Sequence, residues 1–232
     1  MLRPLFALLL SVAALFTWVH PLSSPLIHVL ETFLFAAAWF AWLRLTWQKP
    51  RIRSVWLGLP LLFAIPFLLP SQMPDKVGLR QDYVARLRAC EGIPYYWGGE
   101  SYQGLDCSGL CRRAMIDALL LQGCRHFDGA SFRAAADLWA HDISASDFGK
   151  GASGRCVEIT RAASVNVLPL EQQQAGDLAV LGCHIMACLS PGEWIEAEPL
   201  PEINKVIRVR TPEKQNLWFS TPVTLVRWQC FL

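Results

Sequence analysis

The first 70 residues of this 232-residue chain hold one acidic residue, Glu31, and none of its eight cysteines. Of the 21 Lys+Arg and 19 Asp+Glu, five basic residues (Arg3, Arg44, Lys49, Arg51, Arg53) and that single acid lie in 1–70. Residues 71–232 therefore carry 16 basic against 18 acidic side chains, a formal −2. There is no basic tract and no strongly cationic domain, which excludes a nucleic-acid binder working by phosphate neutralisation. No C-x-x-C pair occurs, so no zinc or other metal site is expected, although Cys183 and His184 adjoin. No cofactor motif and no internal repeat is present. Histidine is scarce too: only His126, His141 and His184 lie beyond residue 70.

What the N-terminal part has instead is apolar length. Three stretches, Leu5–Val19, Leu26–Trp47 and Val55–Leu69, account for much of the 53% hydrophobic content. A spanning helix needs roughly 20 apolar residues, with a lower limit near ~17. The reading is a membrane module over 1–70, with spans near 3–20, 26–47 and 54–70. The second stretch qualifies on length, the first when its flanks are counted. The third is the weakest, because it carries Pro60 and Pro66. A cleaved signal peptide is the competing reading of the first stretch. Basic residues at Arg3 and in the loop holding Lys49, Arg51 and Arg53 place those ends in the cytoplasm, since positive charge stays inside. Three crossings put the remainder outside, in the periplasm or beyond, with lipid as the partner of the helices. If the third stretch does not cross, the remainder is cytoplasmic.

Residues 71–78 read as a polar linker, and 79–232 as an α+β domain large enough for its own core. Apolar spacing of three and four predicts a helix over 79–90, a second over 106–122 and a third over 131–140. Alternating or apolar runs predict strands at 177–181, 184–189, 193–197, 206–210 and 223–229. The segment 141–155, HDISASDFGKGASG and its edge, is polar and rich in Gly and Ser, and is expected to be a mobile surface loop.

Cys107 falls where a glycine-bearing loop turns into the second helix. The thiolate is the reactive form of cysteine, and a helix N-terminus favours it. The backbone N–H groups there can also cradle an oxyanion. Position alone leaves open a buried structural cysteine or half of a disulfide. The surrounding residues bear on that choice. Tyr95, Trp97, Gly98, Gly99, then Asp106, Cys107, Ser108 and Gly109 closely resemble the signature of the NlpC superfamily of papain-like cysteine peptidases, which are bacterial cell-wall enzymes. AGDLAVLGCHIMACL resembles the strand pair that follows in that family, with Ala175 in place of its usual proline. The resemblance covers roughly 79–199 and is thin over 125–165.

The resemblance implies an NlpC-type fold, helices packed on an antiparallel sheet, with Cys107 as nucleophile and His184 as base. His184 begins an apolar strand, where a polar ring needs a reason; His126 and His141 lie in polar stretches. The family's third position, which orients the base, falls on Glu196, where His, Asn or Gln is more usual. Glu198 shares its strand parity and is the rival. A two-residue hairpin at Pro191-Gly192 would oppose Ala187 to Glu196 and put Glu196 on the face opposite His184. A longer loop or a bulge would restore the shared face, and Pro-Gly favours the longer loop. Tyr95 and Ser108 are candidates for substrate or oxyanion contact, and Asp106 for a helix cap. The implied activity is cleavage of peptidoglycan stem peptides, beside D-glutamate and diaminopimelate. A thiol acyltransferase or amidase acting on lipid and an inactive assembly protein are the alternatives. Protein partners, and the pairing of the other seven cysteines, are not legible.

Overall fold

The computed structural model describes residues 2–73 and 75–232. Met1, at the start of the 1–70 module, and Pro74, in the 71–78 linker, lie outside the described residues.

Three helices open the chain: α1 (Leu2–Val19), α2 (Pro25–Leu45) and α3 (Pro50–Leu68). Ser24 caps α2 by accepting the Ile27 N–H at 3.3 Å, with Pro25 in the first turn, where its missing N–H costs nothing. Among the described residues, α2 and α3 meet the length and hydropathy of a membrane span, and Arg3–Val19 of α1 is a shorter apolar helix. This reverses the ranking expected from sequence. The reason is Pro50, which starts α3 five residues ahead of its apolar run, while Pro60 and Pro66 lie inside an unbroken helix. A proline removes one backbone bond without having to end the helix.

The helices run up, down and up. The α1–α2 turn and the end of α3 meet the rest of the chain. Ser23 N–H donates to Gly98 O at 2.7 Å, and Gly129 N–H donates to Pro70 O at 3.0 Å. Arg133 holds the carbonyl of Phe67 at 2.7 Å. Arg3, Arg44, Lys49, Arg51 and Arg53 lie at the opposite ends of these helices.

The remainder is an α+β domain. Helix α4 (Lys76–Ala89) begins inside the expected linker. A short hairpin of β1 (Glu100–Ser101) and β2 (Gly104–Leu105) precedes α5 (Cys107–His126) and α6 (Gly129–Ala140). The six strands β3 (Cys156–Ala162), β4 (Leu178–Leu181), β5 (His184–Ser190), β6 (Glu193–Glu198), β7 (Lys205–Arg210) and β8 (Val223–Trp228) form one sheet in the order β3-β8-β4-β5-β6-β7. Every pairing in it is antiparallel.

The core lies between the helices and one sheet face, where Tyr83, Leu87, Leu110 and Met115 meet Leu178, Ile185 and Ile195. A smaller cluster covers the other face, with Trp194 and Met186 under Phe219. The three expected helices and five expected strands are present. β3 is the addition. It is an edge strand paired only to β8 and largely exposed, so it carries no buried alternation for a sequence reading to find.

The segment 141–155 departs from expectation. It folds into α7 (Ala145–Gly149), started by a reciprocal capping box between Ser144 and Asp147. Phe148 is fully buried, edge-on to Trp228 at 5.3 Å, and Ile143, Ala145 and Ala152 join the same core. Its apolar residues are few and spaced among polar ones, so composition hides them. Phe148→Ala is expected to cost about 3–5 kcal/mol of stability, the range for emptying an aromatic core site. Thermal unfolding of the full chain measures it. A mobile loop would give a change within about 0.5 kcal/mol.

Candidate active site

The site starts from backbone contacts that only glycine permits. Gly98 sits at φ +69°, in the left-handed region, and turns the loop back towards α5. At Gly109 a side chain would run into the Gly99 carbonyl, so the loop lies directly on the first turn of α5. Asp106 locks this arrangement. Its Oδ1 accepts the Gly109 N–H at 2.6 Å and the Ser108 hydroxyl at 2.9 Å, and its Oδ2 accepts the Gly98 N–H at 3.0 Å. Burial holds its carboxyl above the ordinary pKa despite these three donors.

Cys107 is the first residue of α5 and is partly exposed. The N–H groups of Cys107 and Ser108 belong to the first turn and have no intrahelical acceptor. They are suited to an anionic oxygen. The Ser108 side chain is not, since its hydroxyl is spent on Asp106.

His184 opens β5 and is 2% exposed. Its ring stacks on Trp218, with centroids 4.3 Å apart and planes 16° from parallel. Nε2 lies 2.7 Å from Glu196 Oε2, which leaves Nδ1 free on the side of the neighbouring Cys107, whose thiol lies 4.0 Å from the Cys183 carbonyl. Burial pulls the imidazole pKa down, but Cys107 and Glu196 outweigh it and raise the value to about 9. Glu196 is fully buried. Its other oxygen accepts from Asn216 Nδ2 at 2.6 Å, and the same amide reaches Glu198 at 3.3 Å.

The hairpin explains how Glu196 comes to share a face with the ring; Glu198 shares that face too, and the 2.7 Å contact is what singles out Glu196. Pro191-Gly192 does form the tight two-residue turn, with Ser190 opposite Glu193 and Gly192 at φ +79°. A bulge at Leu189 then shifts the register by one, pairing Cys188 with Trp194 and Ala187 with Ile195. Continued, that register returns Glu196 to the face of His184. The bulge does this, and not the longer loop expected.

Tyr95, half-buried, lines a cleft of about 220 Å³ together with Cys107, Trp97, Cys183, Asp142 and Ser144. Burial first, and then the neighbouring Cys107, raise its phenol pKa, so the hydroxyl remains a donor. Three contributors escaped the sequence reading. Asn216 and Trp218 reach the site from a 3-10 turn far along the chain, and no local pattern marks them. Ser23 lines the cleft from the α1–α2 turn. All eight cysteines are free thiols. Among the described residues no cluster of three His, Cys, Asp or Glu side chains is placed to hold a metal.

The family model of the NlpC/P60 family matches residues 92–218, more than half of the chain. The chain belongs to the NlpC/P60 family. The match holds Tyr95, Cys107, His184 and Glu196, and reaches Asn216 and Trp218. The family is one of cysteine peptidases and amidases of the cell wall. Among solved structures, the chain is similar to the peptidoglycan hydrolase RipB of Mycobacterium tuberculosis, at 20% identity and TM-score 0.40, over 66% of this chain and 67% of that one. It is similar to the NlpC/p60 domain of the peptidoglycan hydrolase SagA, at 24% identity and TM-score 0.38, over 63% and 97%. The P60 domain of the M. avium subspecies paratuberculosis antigen MAP1204 matches at 19% identity and TM-score 0.39, over 64% and 95%. A comparison with curated proteins finds no match.

The raised imidazole fixes the sign of the pH dependence. The His184–Glu196 pair contributes fully below the ordinary histidine pKa of ~6.5 and is lost as pH rises through about 9. NMR titration of labelled histidine is expected to show His184 near that value. Glu196→Gln is expected to lower it by about one to two pH units, the worth of a charge-assisted hydrogen bond. An unchanged titration would separate Glu196 from the ring.

Proposed function

We propose that the chain is a membrane-anchored cysteine peptidase or amidase that cleaves peptidoglycan stem peptides through a thioester on Cys107. The observation that carries this reading is a thiol at a helix start against a buried His184–Glu196–Asn216 relay, inside the segment that matches the family. His184 Nδ1 takes the Cys107 proton, and the sulfur attacks the amide carbon. The carbonyl oxygen becomes an anion facing the first-turn N–H groups and the Tyr95 hydroxyl. The C–N bond breaks as the imidazolium gives its proton to the leaving amine. Water, deprotonated by His184, then attacks the thioester; the thiol leaves and a carboxylate is released. Glu196 accepts the Nε2–H and stabilises the imidazolium. Asn216 occupies its second oxygen and keeps the first on the ring.

The membrane topology is part of the same proposal. α1 to α3 cross the inner membrane, with the five basic residues in the cytoplasm and the α+β domain on the periplasmic face. The helix ends support this, since the α1–α2 turn and the end of α3 share the side of the domain. An 18-residue α1 is about 27 Å long at ~1.5 Å per residue, close to the ~30 Å hydrocarbon thickness. The 141–155 segment walls the cleft through Asp142, Ser144 and Ala145, and restricts which peptides enter.

Full-length protein incubated with purified peptidoglycan is expected to release peptide fragments identifiable by mass. Cys107→Ala is expected to lose at least about 10³-fold in rate, as removal of a nucleophile does. Equal release by the variant would remove the proposed chemistry.

A further inference from the structure

The turn between the first two helices is a wall of the cleft. Leu22 bridges to Gly99, Ser23 N–H donates to Gly98 O at 2.7 Å, and Glu100 N–H donates to Pro21 O at 2.9 Å. The Ser23 hydroxyl donates to Glu100 Oε2 at 2.9 Å and lies 3.1 Å from His28 Nε2. Behind it, Arg112 is 2% exposed and meets the same Glu100 oxygen at 3.3 Å. Ser23, Glu100 and Arg112 line the cleft that holds Cys107. Among the described residues, Glu100 Oε1 and Arg112 Nε are buried and have no partner, so this wall has polar capacity to spare.

A second cavity, of about 240 Å³, shares Ser23 and Glu100 with the cleft. It runs on to Trp18, Glu31 and Trp139, between the ends of α1 and α2. Ser23 is four residues past the end of α1, which bounds its distance from that end to about 14 Å at ~3.5 Å per residue. The headgroup layer is itself ~5–8 Å deep on each side of the hydrocarbon. The cleft that Ser23 lines therefore opens close to the headgroup layer, and the second cavity shares the Ser23–Glu100 wall with it on the side of α1 and α2.

We propose that the substrate is a peptide amide carried on a lipid anchor in the same bilayer and presented to Cys107 at headgroup height. The proposal rests on the peptidase and membrane readings above. It narrows them: a peptide held far from the lipid would have no use for a cleft walled by the turn between two membrane helices.

The test uses full-length protein in liposomes and one stem peptide in several presentations: free, coupled directly to a diacyl lipid, or coupled through Gly/Ser spacers. Products are identified by mass, with Cys107→Ala as the control. The directly coupled peptide is expected to turn over fastest. Lengthening the spacer from ~8 to ~30 residues is expected to slow turnover about sevenfold, following the −3/2 power of length for effective concentration. Turnover that is fastest with the ~30-residue spacer and absent on direct coupling would overturn the proposal, by placing the cleft far above the headgroups. So would free peptide processed as fast as lipid-coupled peptide at equal bulk concentration. Cleavage of free peptide alone would overturn this proposal and keep the peptidase reading. No Cys107-dependent product in any presentation would overturn both.

Discussion

A buried 2.7 Å hydrogen bond between His184 and Glu196 is the interaction on which the rest of the site depends. It exists because one residue, Leu189, is extra. Without that bulge, the tight Pro191-Gly192 turn would oppose Glu196 to Ala187 and send it to the core face as an unpaired buried carboxylate. Such a charge costs far more than a displaced side chain. With the bulge, Glu196 has a partner on each oxygen, His184 on one and Asn216 on the other. The stacked Trp218 ring closes the remaining side. The imidazole is left one free nitrogen, and Cys107 is beside it.

The other half of the site is held by a carboxylate with a structural task. Asp106 binds the glycine loop and the start of α5 at once, and so fixes the thiol and the first-turn N–H groups relative to that loop. That loop is in turn paired to the α1–α2 turn by backbone bonds. The N-terminal helices are thus joined to the loop beside Cys107, not merely attached through the chain. A change in how α1 and α2 sit would reach Gly98 and Glu100 directly.

Much of this was legible in the sequence where chemistry or spacing constrains residue type. The helix stripes were visible because buried side chains recur every three or four residues. A glycine-rich helix start at Cys107 and a histidine in an apolar strand at His184 both require explanation, but it is the resemblance to the NlpC signature that selects them as nucleophile and base. Glu196 was legible as a position but not as a partner, because a bulge leaves no residue signature. Asn216 and Trp218 act across the fold, and nothing near them marks the contact. The packing of 141–155 was hidden because a few well-placed apolar residues, Phe148 above all, suffice to anchor a polar segment. The docking of 21–23 onto 98–100 runs through backbone atoms, which no side-chain pattern reports.

The central claim is that one of eight thiols is a nucleophile activated by His184. It is tested most directly by treating the full-length protein with a stem peptide whose scissile amide is replaced by an electrophile, and mapping the adduct by mass. The account predicts labelling at Cys107 alone, slowed strongly in His184→Ala. Labelling spread over the thiols, or centred on the exposed neighbour Cys183, or undiminished in His184→Ala, would contradict it.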